Sequence, residues 1–406
     1  MKDFRITDYG AIGDEKTVNT ESIQATINAC RDYGGGRVCI GDGIYVTGTI
    51  HLYSNIELHI EANGTLAASN DGADYPDFVS DELDEKFAPR ATNRCLIFIG
   101  GAMNVSITGM GLIDCNGSAF CDEIVDENGK KKFVRNTDIL PARMIFIMSS
   151  TNVRLSDFTM KEMAGGWGSW INNCQYVSID AVKMYCNPQY PNADGIHINC
   201  SSDVTISNCI IHSGDDSIIV RANTNTLKEP RNCERVIVKG CILSSIHNAI
   251  RIAWRNDGMV QNCTFSDLVI TDSRQGLTIE LPDHSSPTDF SLNKTQVRNL
   301  NFNNVVLDRI AENPIQIIIH PENLVDYIKD IHFSNISASS QLFPIVIGRE
   351  DAIIQDISFS HCKFTVIGSL EPPYPIFKHV KGLSLDNTVF DIIEQAVSTS
   401  SPLLPD

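Results

Sequence analysis

Three aspartates sit in two short phrases, Asn192-Ala193-Asp194 and Gly214-Asp215-Asp216, separated by one unit of a repeat. Acid–base hydrolysis needs such a set, because one carboxyl gives a proton to a leaving oxygen while another takes one from water. Carboxylates crowded on one surface do not all ionise easily. At least one pKa should rise, leaving a proton donor beside an ionised base. In isolation Asp215-Asp216 reads better as a turn cap, with Asp194 as surface decoration. Repeat alignment reverses that reading.

The repeat is an apolar-x-apolar phrase anchored at Val105, Val153, Val177, Val204, Val236, Cys263, Leu300, Ile331, Ile357 and Leu383. Anchors lie roughly 24 to 37 residues apart, with one early gap of 48. A fixed period of this kind marks a solenoid, and short alternation punctuated by asparagine and glycine marks strands. Long amphipathic patterns are missing from the repeat region. The expected fold is therefore all-β: a parallel β-helix of about ten coils, each burying its apolar face against its neighbours.

A second register positions the chemistry. The phrases beginning at Asp194, Asp216, Asn248, Gln275 and Asn313 align, and their third and fifth residues are apolar. Strand side chains alternate faces, so the first and fourth residues of each phrase should point outward. One outward row is then Asp194, Asp216, Asn248, Gln275, Asn313, and the next is His197, Ile219, Arg251, Thr278, Gln316. Together they describe a polar groove. His197 beside Asp194 reads as a substrate contact. Trp167, Trp170 and Trp254 lie on flanking strands, where stacking on a sugar and filling a coil are equally good readings.

With 406 residues and one continuous repeat, the expected organisation is a single domain over 1–406. Residues 1–50 form an N-terminal cap and first strands, 51–393 the coils, and 394–406 an irregular tail. A short helix after Asn19 or Thr20, with Ile23, Ile27 and Cys30 on one face, would cover the edge of the first coil. Insertions near 70–93 and 118–141 break the repeat, the second containing Lys130-Lys131-Lys132. They read as long loops of functional or mobile character. Acidic residues outnumber basic ones 50 to 32, for a net charge of −18, which argues against nucleic acid and anionic membranes as partners. No run approaches a membrane span, and Met1 leads into Phe4 without an apolar signal core, so a cytoplasmic location is expected. Thirteen cysteines, scattered and without zinc spacing, read as buried small hydrophobes in a reduced compartment.

Asp8-Tyr9-Gly10-Ala11-Ile12-Gly13, and above all Asn192-Ala193-Asp194-Gly195 with Gly214-Asp215-Asp216, resemble glycoside hydrolase family 28, the polygalacturonases and their relatives. That resemblance covers nearly the whole chain. It implies a right-handed parallel β-helix that hydrolyses glycosidic bonds with inversion and without cofactor or metal. Carried over, Asp215 would be the general acid, Asp194 and Asp216 would activate water, and Asn192 would orient the site. The expected partner is an oligosaccharide, with exo action on pectin-derived oligomers. Self-association into a homo-oligomer stays open.

Two departures bear on specificity. Where the family has Gly-His-Gly, this chain reads Ile246-His247-Asn248-Ala249, so Asn248 takes the histidine register and His247 precedes it. A bulge would return His247 to the site, whereas a slip of one residue flips the face. Where polygalacturonases carry Arg-Ile-Lys, this chain has Thr278-Ile279-Glu280. Glu280 would repel a uronate unless Arg251, Arg221 or Arg255 supplies the charge, through a bidentate contact with the sugar carboxylate. A neutral sugar is the alternative substrate. A β-eliminating lyase needs calcium or a strong base that the aligned rows lack. A non-catalytic carbohydrate-binding solenoid does not call for three aligned aspartates.

Overall fold

The computed structural model describes residues 1–78, 92–137, 139–163, 166–283, 293–368 and 374–393. Its strands stack in parallel, coil on coil, along three ladders. In one ladder Val105, Val153, Val177, Val204 and Val236 are direct neighbours, and so are Cys263, Leu300, Ile331, Ile357 and Leu383. Val238 pairs with Phe265 and joins the two series in register. Strand–crossover–parallel strand connections of this type are right-handed, and the chain is a right-handed parallel β-helix, as its sequence predicts.

The corners explain the asparagines. Asn104, Asn152, Asn262 and Asn299, each one residue before an anchor, have left-handed φ of 52 to 57°. Asparagine tolerates that region better than other residues with a Cβ. Its amide also bonds along the stack, from Asn152 to Asn104 and from Asn299 to Asn262, both at 2.8 Å. A second left-handed corner follows five residues on, as at Asp157, Asp267 and Asn304. Inside, Phe265, Phe302, Phe333 and Phe359 stack with centroids 4.7 to 4.9 Å apart and planes 11 to 12° apart.

The third ladder carries the groove. It has eleven strands among the described residues. Trp170, His197, Ile219, Arg251, Thr278 and Gln316 are successive register partners across it. Ile171, Ile198, Val220, Ile252, Ile279 and Ile317 form the neighbouring inward row.

Helix α1 (Thr20–Asp32) buries Ile23, Ile27 and Cys30 against the first coil. Asn19 precedes it, yet its side chain bonds Ile12 and Thr17 rather than the helix N-terminus. The insertion at 118–141 is more ordered than a loop: Cys121–Val125 and Lys131–Arg135 pair as an antiparallel hairpin. Most of the 70–93 insertion, at 79–91, and the tail at 394–406 lie outside the described residues. All thirteen cysteines are free thiols, and Cys209, Cys241 and Cys362 are buried as expected. No described helix is long and apolar enough to cross a membrane.

Candidate active site

Asp194 and Asp216 lie on the turns that enter strands Ile196–Asn199 and Ile218–Arg221. Backbone bonds hold these turns in stack: Gly168 N–H to Asp194 O at 2.8 Å, Gly195 N–H to Asp216 O at 2.9 Å, and Ser217 N–H to Asn248 O at 3.0 Å. A Cβ on Gly195 would come within 2.3 Å of the Ser217 carbonyl, so only glycine permits this approach. The two turns are also tied directly, since Ala193 O accepts from the N–H groups of Gly214 and Asp215.

One carboxylate oxygen from each of Asp194, Asp215 and Asp216 lies within 4.8 Å of the others. Each aspartate meets different neighbours. Asp216 is 6 % exposed; its Oδ1 accepts from Asn248 N–H at 3.1 Å and Asn248 Nδ2 at 2.6 Å, and its Oδ2 faces Arg251 at 3.6 Å. Asp215 takes Asn192 Nδ2 on Oδ2 at 3.2 Å and the Asp216 N–H on Oδ1 at 3.0 Å. Burial, and then the charge of Asp216, push the Asp215 carboxyl up to about 6, while His247 and Arg251 pull it back. A carboxyl with a raised pKa thus stands beside one held by hydrogen-bond donors, so the neighbouring aspartates differ in environment. Oxygens this close are also within reach of one hard cation. The groups converging on them, however, are N–H donors and a guanidinium, where a cation would need further oxygens.

The cluster opens into a cavity of about 450 Å³ whose lining includes Trp167, His197, Arg221, His247, Arg251, Trp254 and Glu280. His197 tilts against Trp167 with centroids 4.3 Å apart. Burial foremost, then the charges of Arg221, Arg143 and Arg251, hold its pKa well below the usual histidine value. The ring is therefore neutral, with an Nδ1 that finds no partner among the described residues. Arg251 is 8 % exposed and lies 3.8 Å from the Trp254 ring centroid. Its nearest carboxylates, Asp216 and Glu280, are at 3.6 and 3.7 Å, longer than hydrogen bonds.

Not every sequence-predicted residue faces the cavity. Thr278 and Asn248 are buried behind its lining, Asn248 as the donor to Asp216. Arg221 lines the wall, but its guanidinium makes a bidentate pair with fully buried Asp257 at 2.8 and 3.0 Å. Arg255 is turned to the Asp283 carbonyl and Glu322. Glu280 is hydrogen-bonded with His320 Nε2 at 2.7 Å and faces the Arg251 guanidinium at 3.7 Å. His247 reaches the cavity because it precedes the strand, which begins at Asn248; face alternation does not govern it. Its N–H bonds Ser245 Oγ, which in turn donates to the Asp215 carbonyl.

Four residues around the site carried no sequence signal. Arg135 arrives from the hairpin and donates to Asn192 Oδ1 at 2.6 Å. Arg274, paired with Glu312, lines the rim. Asp257 and His320 sit outside the aligned rows, where repeat register says nothing.

Comparison with known proteins agrees with this fold. A solved exopolygalacturonase from Thermotoga maritima superposes with a TM-score of 0.75 at 19 % identity, over 95 % of this chain and 92 % of that one. A probable polygalacturonase of Vitis vinifera is 24 % identical over 284 residues, covering 68 % of this chain and 56 % of the relative. An exo-poly-alpha-D-galacturonosidase of Dickeya chrysanthemi is 26 % identical over 254 residues, covering 53 % of this chain and 41 % of the relative. The chain thus spans about half the length of these two curated relatives. The family model of glycosyl hydrolases family 28 matches residues 82–326, more than half of the sequence, and the chain belongs to that family.

Proposed function

We propose that this glycoside hydrolase removes single sugars from galacturonate-containing oligosaccharides, with inversion at the anomeric carbon. The observation that carries the reading is the unequal carboxylate trio: Asp215, raised to about 6, beside Asp216 under Asn248 and Arg251. Asp215 gives its proton to the glycosidic oxygen as the C–O bond breaks. Water adds to the anomeric carbon, and its proton passes to Asp194 or Asp216. Inverting enzymes usually separate acid and base by roughly 6.5–9.5 Å, whereas one oxygen from each carboxyl here lies within 4.8 Å of the others. We place the water above the Asp194–Asp216 pair, on the side away from Asp215, rather than in a gap between two carboxyls.

Relatives named as exopolygalacturonases support the substrate class. Arg251, backed by Trp254 and loosely held, is the cation that meets the sugar carboxylate in place of the family's Arg-Ile-Lys. Support for exo action comes from the N-terminal side of the groove. There His51, Phe98, Phe146 and Trp170 continue the outward row, and Phe78 packs against His51, Phe98 and Phe146. On our reading these packed rings close that end of the groove to a continuing polymer. A neutral sugar is the second reading, favoured by Glu280 in the cavity wall, where a carboxylate can accept from hydroxyls.

Chromatography of products from di- and trigalacturonate, with wild type and Asp215→Asn, tests the reading. Release of single galacturonate by wild type alone supports it. No release moves the substrate to neutral sugars, and random internal cleavage of long chains removes the exo assignment.

A further inference from the structure

The hairpin Cys121–Val125/Lys131–Arg135 belongs to no coil, yet it touches the centre of the site. Phe133 meets Tyr190 edge-on with centroids 5.0 Å apart, and Cys121, Tyr190 and Ala193 form a small apolar cluster that docks it beside Asp194. From the end of its second strand, the Arg135 guanidinium donates to Asn192 Oδ1 at 2.6 Å. Asn192 sits in left-handed backbone at φ 51° and donates its Nδ2 to Asp215 Oδ2 at 3.2 Å.

An asparagine amide has an oxygen that accepts and a nitrogen that donates, and rotation by half a turn exchanges them. A guanidinium only donates. Contact with Arg135 therefore fixes Asn192 with its oxygen toward the hairpin and its nitrogen toward Asp215. The exchanged orientation would set a carbonyl oxygen against the carboxyl. That oxygen would repel the ionised form and would hold the proton of the neutral form away from the leaving group.

We propose that Arg135 is a positioning residue for Asp215, delivered by the inserted hairpin, which locks the Asn192 amide so that the acid keeps its proton available for the glycosidic oxygen. This rests on Asp215 being the general acid. Because Asp215 Oδ1 already accepts from the Asp216 N–H, Oδ2 is the oxygen whose surroundings depend on the hairpin. Loss of the lock removes a donor from the ionised carboxylate, or adds an acceptor for the protonated one. Both changes favour the protonated form.

The test compares wild type, Arg135→Met and Arg135→Lys on trigalacturonate and on α-galacturonosyl fluoride, whose leaving group needs no proton. Arg135→Met should lower kcat on trigalacturonate about tenfold or more, as for a mispositioned general acid. KM should stay within about twofold, since ground-state binding is untouched. The basic limb of the pH profile should move to higher pH, and fluoride release should be nearly unchanged. Arg135→Lys, also a pure donor, should recover most of the rate. Equal losses on both substrates with an unmoved basic limb would show a merely structural role and overturn the proposal, as would no change at all. If wild type turns over neither substrate, the functional reading fails and the lock is judged by the carboxyl ¹³C titration of Asp215. Arg135→Met should move that titration upward while Arg135→Lys leaves it in place; coincident titrations would refute the lock.

Discussion

Replacing the proposed acid with asparagine should stabilise the protein at neutral pH even as it abolishes turnover. Asp215 titrates near 6 in the folded chain against 3.8 for an unperturbed aspartate, chiefly through burial and secondly through Asp216. Below 3.8 both folded and unfolded chains hold the proton, and no penalty exists. As pH rises to 6 the unfolded chain releases its proton first, so the native state loses stability; above 6 the full penalty is in place. A difference of about two units at 1.36 kcal/mol each sets an upper bound of about 3 kcal/mol. The carboxyl faces the cavity, and solvent there should reduce this to about 1.5 kcal/mol. Asparagine never ionises and escapes the penalty. It does set an amide nitrogen against Asn192 Nδ2, which costs about 1 kcal/mol but equally at every pH. The quantity to follow is therefore the melting difference between Asp215→Asn and wild type as a function of pH, read by differential scanning calorimetry. That difference should rise by about 2 °C between pH 4 and pH 7.5 for a chain of this size. A difference that stays flat across this range would refute the raised pKa and, with it, the assignment of Asp215 as the proton store.

The same carboxyl should shape catalysis: kcat/KM for oligosaccharides should fall as pH rises through about 6, where Asp215 loses its proton, a limb that initial-rate profiles would expose. Arg251→Met should raise KM for a galacturonate oligomer about tenfold or more while leaving neutral-sugar binding intact, as expected of a charge-assisted contact; calorimetric titration with both ligands checks it. In the phenylalanine stack, Phe302→Ala should cost about 3–5 kcal/mol by opening a cavity between two rings, measured by urea denaturation.

Much of the fold is legible because the solenoid writes its register into the chain. Each anchor from Val105 to Leu383 falls opposite its neighbour, since a stacked strand that slips by one residue exposes its whole apolar face. The aspartates inherit that legibility, and so does Arg251. Legibility stops where the repeat stops. Thr278 and Asn248 occupy outward register positions, yet both are buried, and register alone does not report what covers a face. Arg221 looked available until Asp257 took its guanidinium, a pairing set by a turn outside the strand. Arg135 was hidden in an insertion, where no period relates it to Asn192. His247 was ambiguous for a different reason: the strand boundary, one residue later, decides whether alternation applies.

The stacked turns under Asp194 and Asp216 have a consequence for how such a site can be altered. Their separation is the pitch of the solenoid, fixed by backbone bonds from Gly195 to Asp216 and from Ser217 to Asn248. Side-chain choice cannot tune it. The groove therefore behaves as a tape of constant pitch, each coil at the cavity contributing one letter to the row His197, Ile219, Arg251. Changing the sugar that is read means rewriting a letter, while the spacing of the Asp194–Asp216 pair stays with the lattice.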